Sequence, residues 1–341
     1  MEIGISTFVE TTPYENGEII SHAQRIQEVI EEIVLADELG LDVYGIGEHH
    51  REDFAASSPA IILAGAATRT KNIRLTSAVT VLSSIDPVRV FQDFASLDAL
   101  SNGRAEIMVG RGSFTESFPL FGYSLEHYSE LFEEKLELLL QIQKSEKVTW
   151  SGKHRAAINN LGIYPRPIQK PLPIWIGSGG NAQSAVRPAL LGLPLVLAII
   201  GGNPEHFKPV VELYRRAAME AKQDLNKMKV ATHSHGFVAD TDEEALEKFY
   251  FSTHHVMSKL GRERGWLPYT RETYNMATSP DGALFVGSPK TVAEKIIKLK
   301  KNLNIDRFFM HTPVGTMYHK DVMKSIELLA KEVVPIVRNG I

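Results

Sequence analysis

The chain has no cysteine, no apolar run long enough to cross a membrane and no excess of positive charge. Without cysteine there are no disulfides, no thiolate nucleophile and no metal site with sulfur ligands. This is typical of a reducing compartment and predicts a cytoplasmic protein. The longest apolar run, Leu195 to Ile200, suits a buried strand and is far too short to cross a bilayer. Met1 to Ser6 shows no basic segment leading into a long apolar one, so we expect no targeting segment and no membrane association.

An excess of positive charge is also missing. The sequence has 37 lysines and arginines against 41 aspartates and glutamates, which gives a net charge of −4. Because nucleic-acid binding depends on clustered basic residues that neutralise phosphates, we expect no nucleic acid as partner. Hydrophobic residues make up 43% of the 341 positions and charged residues 23%, as in ordinary folded globular proteins.

Short apolar runs alternate with longer amphipathic segments along the sequence. Eight runs have the composition of strands, and they begin at Ile3, Asp42, Ile73, Ala105, Ile174, Leu195, Lys229 and Arg307. Eight strands separated by helical patterns predict an α/β fold that is a single (β/α)8 TIM barrel domain over residues 1–341. Two stretches rich in proline and glycine, about 145–173 and 261–289, are predicted insertions. The alternative is an open doubly wound sheet with two domains.

Functional residues of such a barrel follow the carboxyl ends of its strands. A glycine loop, Gly177 to Asn181, joins the fifth strand to a helix, and its N–H groups predict a phosphate site. The loop also matches the dinucleotide pattern G-x-G-x-x-A, but no acidic residue follows about 20 positions later to hold a ribose. Arg111 follows the fourth strand, and its planar guanidinium suits the same phosphate. A salt bridge from Arg111 to Glu106 or Glu116 is the alternative.

Histidines follow several of the predicted strands. His49 and His50 are adjacent, so on an extended chain they point to opposite sides and only one faces the barrel mouth. His233 and His235 have a spacing that metal ligands use, but no carboxylate at another strand end completes the set. We therefore assign these two a structural role and predict no metal site. His311 ends the last strand and belongs either to the site or to the core.

Several motifs, taken together and in order, resemble those of the bacterial-luciferase-like flavin-dependent monooxygenases. They are Gly47-Glu48-His49-His50; Asp86-Pro87-Val88-Arg89 with Leu97-Asp98 and Ser101-Asn102-Gly103-Arg104; Gly110-Arg111-Gly112; and Val286-Gly287-Ser288-Pro289 before a helix. The combination is specific to this luciferase-like monooxygenase family, whereas any single piece is not. These motifs do not identify the substrate.

The resemblance implies a (β/α)8 barrel that binds FMN at its C-terminal mouth. By matching position, the residues that it places at the FMN phosphate are Arg111, Ser113 and Phe114 through their backbone, Ser178, Gly179, Gly180, and Gln183 or Ser184. It places Ser6, Ala78 and Val79 along the isoalloxazine, with a non-prolyl cis peptide between Ala78 and Val79.

The same resemblance makes His49 the active-site histidine. Because an imidazole ordinarily titrates near neutral pH, His49 is expected to act as a general base or acid. The second insertion is the predicted lid, with Trp266, Tyr269 and Tyr274 as its aromatic residues and His50 as a further residue on the substrate side.

We therefore expect an FMN-dependent monooxygenase that uses reduced flavin and O2 to oxygenate a small organic substrate. No separate nicotinamide fold is recognisable, so reduced FMN is expected from a flavin reductase, and a homodimer is expected as in many family members. Light emission on a long-chain aldehyde is not expected, because Gly179 and Gly110 stand where light-emitting members carry an acidic residue and a cysteine. The alternatives are a deazaflavin (coenzyme F420)-dependent oxidoreductase of the same fold, a non-catalytic flavin-binding protein and a metal-dependent barrel hydrolase.

Overall fold

Eight parallel strands close into a barrel in the computed structural model, which describes all residues from Met1 to Ile341. The strands are β1 (Glu2–Thr7), β2 (Val43–Ile46), β3 (Arg74–Ser77), β4 (Thr80–Val81), β5 (Ala105–Gly110), β6 (Lys147–Trp150), β7 (Ile158–Gly162), β8 (Ile174–Ser178), β9 (Leu195–Ala198), β10 (Val230–Val238), β11 (Phe285–Gly287) and β12 (Arg307–His311). Strands β1, β2, β3, β5, β8, β9, β10 and β12 pair in that order, and β12 pairs with β1 to complete the ring. The predicted TIM barrel is confirmed.

Helices surround the barrel and connect its strands. They are α1 (His22–Glu38), α2 (Pro59–Ala67), α3 (Pro87–Leu100), α4 (Ser117–Leu120), α5 (Tyr128–Lys144), α6 (Ala182–Leu191), α7 (Lys208–Glu220), α8 (Asp242–Arg264), α9 (Arg271–Thr278), α10 (Pro289–Leu303), α11 (His319–Leu328) and α12 (Val334–Gly340). Local sequence explains where two of the helices begin. The Ser21 and Asp86 side chains accept hydrogen bonds from N–H groups in the first turns of α1 and α3. No helix combines the length and the apolar composition needed to traverse a membrane.

Buried apolar side chains form two separate clusters. The larger one has 77 residues and lies between the strands and the helices, whereas the smaller one has seven and fills the barrel itself. The smaller cluster consists of Val43, Ala78, Met108, Trp175, Val196, Ala231 and Phe309. Because side chains along a strand alternate between its two faces, positions two residues further along also face the interior. Gly45, Gly110, Gly177, His233 and His311 occupy these positions and form the floor of the barrel mouth.

Charged side chains close the opposite, N-terminal end of the barrel. Arg307 donates to both carboxylate oxygens of Glu106, at 2.6 and 3.1 Å, and to Glu2 at 2.6 Å. Arg74 lies 3.1 Å from the same Glu106 carboxylate and also pairs with Glu2. Each buried charge at this end therefore has an opposite charge as its neighbour.

Both predicted insertions contain regular structure. The first carries an antiparallel hairpin of β6 and β7. The second contains the end of α8, all of α9, and β11, which pairs with β10 at the edge of the sheet. Helix α8 extends into the second insertion and ends at Arg264, followed by Gly265, whose φ of +67° suits a helix C-terminus.

Candidate active site

Arg111 and the glycine loop lie side by side at the barrel mouth. Strands β5 and β8 are neighbours, with Val109 opposite Ile176, so Arg111 follows one strand directly beside Ser178 on the other. Arg111 forms no salt bridge or side-chain hydrogen bond within the chain. Its guanidinium lies 5.4 Å from the centre of the Tyr128 ring, and the Tyr128 hydroxyl donates to the Gly112 carbonyl.

The two carboxylates that the sequence offers as partners of Arg111 are bound elsewhere. Glu106 belongs to the ion cluster at the far end of the barrel with Arg307. Glu116 accepts from Arg51 at 3.1 Å. The alternative that Arg111 is a structural salt-bridge residue is therefore wrong, and its guanidinium is available to a ligand.

The loop after β8 presents backbone N–H groups without protein acceptors. Asn181 caps α6 by accepting the Ser184 N–H at 2.8 Å, and Ser178 accepts the Gly180 N–H at 3.0 Å. Gly180 has a φ of +93°, which favours glycine, and a side chain at Gly179 would meet open space. The N–H groups of Asn181 and of the next two residues have no partner within the helix. This N-terminus of α6 can bind an anion together with Arg111.

The Gln183 side chain lies outside this site, which corrects its predicted position. It lines a groove of about 860 Å³ between α5 and α6 on the outer surface of the barrel, with Leu140 and Leu190 among its neighbours. Only the backbone N–H of Gln183 belongs to the free N-terminus of α6. Ser184 is buried instead and bonds to the Ser178 hydroxyl.

The Ala78–Val79 segment between β3 and β4 forms a ledge. It extends toward the centre of the mouth from the anion site, which consists of Arg111 and the N-terminus of α6. The Ala78–Val79 peptide is cis, as the resemblance implied. Val79 packs over β5 and β8 so closely that a Cβ atom at Gly110 or Gly177 would lie 2.8 Å from its methyl groups. Glycine at both strand ends therefore allows Val79 to cover the barrel interior and leaves a flat apolar surface beside Arg111.

His49 lies in an aromatic cluster on the opposite side of this ledge. Its ring stacks on Phe54, with centroids 4.4 Å apart, and meets Phe8 and Phe114 edge-on at 4.4 and 4.7 Å. The Nδ1 atom of His49 is buried without a hydrogen-bond partner. Burial lowers the pKa of His49 to about 3, so the imidazole is neutral at physiological pH. The expectation that this residue titrates near neutral pH is therefore corrected.

His50 does not join this cluster. Its Nε2 atom lies 2.8 Å from a Glu48 carboxylate oxygen, and its ring packs edge-on against Phe121 at 5.1 Å. The second Glu48 oxygen accepts the Val81 N–H at 2.8 Å. The adjacent histidines thus face different sides, and it is Glu48 that joins the loop after β2 to β4.

Ser6 connects two buried histidines at the mouth. Its hydroxyl is hydrogen-bonded to His233 Nε2 and lies 3.2 Å from His311 Nδ1. The His311 ring also packs on Phe8, which separates it from His49. The pKa of His311 falls to about 3 through burial, and burial likewise lowers the pKa of His233.

Glu10 is a functional candidate that the sequence did not reveal. Its carboxylate oxygen lies 3.7 Å from His311 Nε2, and its second oxygen is buried without a partner. Burial raises the pKa of Glu10 to about 8, so the group stays protonated at neutral pH. Alternation along β10 and β12 could have indicated the histidines, but Glu10 follows the end of β1 and has no such pattern.

The predicted lid residues separate into two groups. Arg264, at the end of α8, stacks between Phe114 at 5.0 Å and the half-exposed Trp266 at 5.3 Å, so this segment reaches the mouth. Arg264 also donates to the Ser113 carbonyl at 3.1 Å. The Ser113 backbone is therefore engaged by the α8 end of the lid.

Tyr269 and Tyr274 do not face the mouth. Tyr274 is fully buried beside α8, where its hydroxyl donates to the Leu246 carbonyl at 2.9 Å. Tyr269 packs against the outer core, and its ring lies 6.4 Å from His254 of α8. Both predicted lid roles are corrected, since these rings hold α9 and the preceding loop onto α8.

Comparison with known proteins places this arrangement in a family. The model of the luciferase-like monooxygenase family matches residues 1–307. The chain belongs to the luciferase-like monooxygenases. The predicted resemblance is confirmed, and the anion site, the ledge and the His49 cluster all lie within the matched residues.

A curated relative and two solved structures share the length of this luciferase-like monooxygenase. The N-acetyl-S-alkylcysteine monooxygenase of Bacillus subtilis is 28% identical over 332 residues, which cover 93% of this chain and 95% of the relative. The oxygenating constituent of 3,6-diketocamphane monooxygenase from Pseudomonas putida, solved with FMN, superposes with a TM-score of 0.79 at 22% identity and covers 99% of this chain and 98% of its own. The coenzyme F420-dependent tetrahydromethanopterin reductase of Methanopyrus kandleri superposes with a TM-score of 0.75 at 20% identity and 98% coverage of both chains. At these identities the two structures show a common fold.

Proposed function

We propose that this luciferase-like monooxygenase binds reduced FMN and uses O2 to oxygenate a small organic substrate. The observation that carries the proposal is Arg111, a guanidinium without a carboxylate partner beside the free N-terminus of α6. This pair offers a planar fork and several N–H donors to one phosphate dianion. A flavin mononucleotide ends in such a phosphate.

The residues between the anion site and His49 fit the remainder of FMN. The Ala78–Val79 ledge presents backbone and small apolar side chains, which suit the face of a flat ring. Ser6 and the neutral histidines at the far side offer hydrogen bonds to its polar edge. When bound, reduced FMN supplies the activation of O2, and the protein supplies orientation and exclusion of water.

His49 is proposed to act as a neutral imidazole that accepts a proton at one ring nitrogen and donates a hydrogen bond from the other. The His49 ring packs on Phe54 and Phe114. Its Nδ1 atom is buried without a hydrogen-bond partner, so no acidic side chain is bonded to it. Arg264 and Trp266 cover this cluster from α8, which limits the access of water to the imidazole.

Glu10 and His311 are proposed to hold a second proton near Ser6. Protonated Glu10 can donate to His311 Nε2, while His311 Nδ1 and the Ser6 hydroxyl complete a chain toward the ledge. The groups are uncharged at neutral pH, so together they bind polar, uncharged parts of a substrate better than a bare hydrocarbon chain. This agrees with a small polar substrate, such as the compound named for the Bacillus subtilis relative.

Reduced FMN is proposed to come from a separate flavin reductase. The Pseudomonas putida neighbour is named as an oxygenating constituent, which implies a partner for reduction. A homodimer is also part of the proposal, and Ile61 on α2 is 70% exposed, as an interface residue would be. Light scattering of the purified chain measures this assembly.

The second candidate is a deazaflavin-dependent oxidoreductase, which is favoured by the likeness of the fold to the F420-dependent reductase. The two functions differ in whether O2 is consumed. Reduced FMN with O2 should give an oxygenated product from a panel of small sulfur, ketone and heterocyclic compounds. Reduced F420 should instead transfer hydride without consuming O2.

His49→Ala tests the catalytic assignment. The variant should lose product formation by more than about 100-fold, the usual contribution of a positioned general acid or base, while FMN still binds. His50→Ala is the matched control and should keep most of the activity, because His50 bonds to Glu48 outside the cluster. Oxygenation at an unchanged rate in His49→Ala would remove this residue from the reaction.

A further inference from the structure

Two histidines and one glutamate meet on the surface at the start of α5, outside the His49 cluster. His127 precedes α5, Glu130 lies in its first turn, and His154 lies between β6 and β7. A Glu130 carboxylate oxygen lies 3.0 Å from His154 Nε2 and 3.6 Å from His127 Nδ1. The three ligand atoms lie within 4.8 Å of one another.

The hairpin loop that carries His154 is held in place independently of this cluster. The Glu134 carboxylate, one turn further along α5, accepts the N–H of Lys153 at 2.6 Å and that of His154 at 3.0 Å. Arg155 donates to Asp86 at 2.8 Å. The His154 ring is therefore directed toward Glu130 by the backbone of its own loop, which reduces the ordering needed to bind a ligand.

The three side chains are chemically ready to coordinate a cation. Neither imidazole has a polar side-chain partner other than Glu130. The Glu130 carboxylate oxygen that faces both imidazoles also accepts from Lys153. Lys153 lies 2.9 Å from this carboxylate and is the cation that a metal would displace.

The spacing agrees with zinc. Zinc binds imidazole nitrogen and carboxylate oxygen at about 2.0–2.2 Å, so ligand atoms around a tetrahedral ion lie about 3.3 Å apart. The two distances to Glu130 lie on either side of this value. Imidazole ligands also favour zinc and similar transition metals over magnesium and calcium, which prefer oxygen.

We propose that His127, Glu130 and His154 form a surface site for a divalent transition metal, with zinc as the best fit and water as the remaining ligand. The ion would join the β6–β7 hairpin to the start of α5. Tyr128, beside His127 in sequence, holds the Gly112 carbonyl and packs on Arg111. The site therefore lies next to the support of the proposed phosphate-binding arginine but does not depend on flavin binding.

Calorimetric titration of the tag-free chain with zinc chloride tests the site. We expect saturable binding of one zinc ion per chain, no comparable binding of magnesium, and a thermal unfolding midpoint that rises with zinc concentration. His127→Gln and His154→Gln should each weaken zinc binding by roughly tenfold or more, because each removes one of three protein ligands.

His22→Gln is the matched control, because His22 bonds only to the Glu52 carbonyl elsewhere on the surface. It should bind zinc as the unaltered chain does. Circular dichroism checks that the variants are folded. Absence of saturable binding, or equal binding in His154→Gln and His22→Gln, overturns the proposal. The second outcome would indicate that zinc binds elsewhere, for example among His233, His235 and His311.

Discussion

The two ends of the barrel interior differ in how their arginines are satisfied. At the N-terminal end, Arg307 is 2% exposed and binds the carboxylates of Glu106 and Glu2. At the C-terminal end, Arg111 has no carboxylate partner and the buried Nδ1 atom of His49 has no hydrogen bond. Buried polar groups in folded proteins are almost always paired, so the unpaired His49 Nδ1 atom at the same end as the free Arg111 guanidinium indicates an end that is built for a ligand.

The same difference separates stability from function. Removing one partner of a closed ion cluster leaves a buried charge alone, which costs free energy of folding. Removing Arg111 leaves no protein group unpaired, since its guanidinium packs on the Tyr128 ring and forms no hydrogen bond or salt bridge within the chain. Substitutions at the two ends should therefore affect different measurements.

The largest effect is expected for Glu106→Gln at the closed end. The change removes one of the two carboxylates that Arg307 and Arg74 share, and Glu2 alone remains to balance both guanidiniums. We expect the free energy of unfolding to fall by about 3–5 kcal/mol. Urea unfolding followed by circular dichroism measures it. A loss below about 1 kcal/mol would show that this cluster does not stabilise the barrel.

Arg111→Ala should give the next largest effect, on binding alone. FMN binding should weaken by about 1.5–3 kcal/mol, the range for a hydrogen bond to a charged group. Riboflavin, which lacks the phosphate, should bind equally to both proteins in a fluorescence titration. The free energy of unfolding without ligand should stay unchanged. An FMN dissociation constant equal to that of the unaltered chain would contradict the phosphate assignment.

The last effect is expected for Glu10→Gln, and it is visible only in the pH dependence of stability. The pKa of Glu10 is about 8 in the folded chain, against 4.5 for an exposed glutamate, so the folded state holds the proton more tightly. The contribution of Glu10 to the free energy of unfolding is therefore full below pH 4.5 and is lost as the pH rises through 8. The groups facing Glu10 are His311, the Arg25 guanidinium and the Gly315 N–H.

The glutamine variant lacks this loss. Relative to the unaltered chain, the free energy of unfolding of the variant should rise progressively between pH 5 and pH 8, because only the unaltered chain loses the Glu10 contribution there. Below pH 5, stability should depend on pH in the same way in both proteins. There the buried His49, His235 and His311, with pKa values of about 3, lose their contribution as the pH falls below 6.5. Parallel curves from pH 5 to 9 would show that Glu10 is ionised in the folded chain.

The placement of residues around the mouth shows where sequence reasoning succeeds. Arg111 and the loop from Gly177 to Asn181 are both recognisable from residue type and from their position after a strand. The position of Val79 over Gly110 and Gly177 is not predictable, because it depends on the contact of three different strands. The lid role predicted for Tyr274 is wrong for the same reason: an aromatic residue in a variable segment looks the same in sequence whether it covers a site or packs under a helix.

Periodic apolar patterns determined by themselves that this chain forms eight β/α units, and the ordered motifs carried its resemblance to a flavin monooxygenase family. Those features are local, since the alternation of side chains and the geometry of a turn depend on residues near in sequence. Only the closed barrel decided which charges are paired and which remain free. It separates Glu106 from Arg111 by the length of a strand and brings Glu10 within 3.7 Å of His311, 301 residues later. Such distances arise from the closure of the sheet, in which β12 pairs with β1, and no local pattern records them.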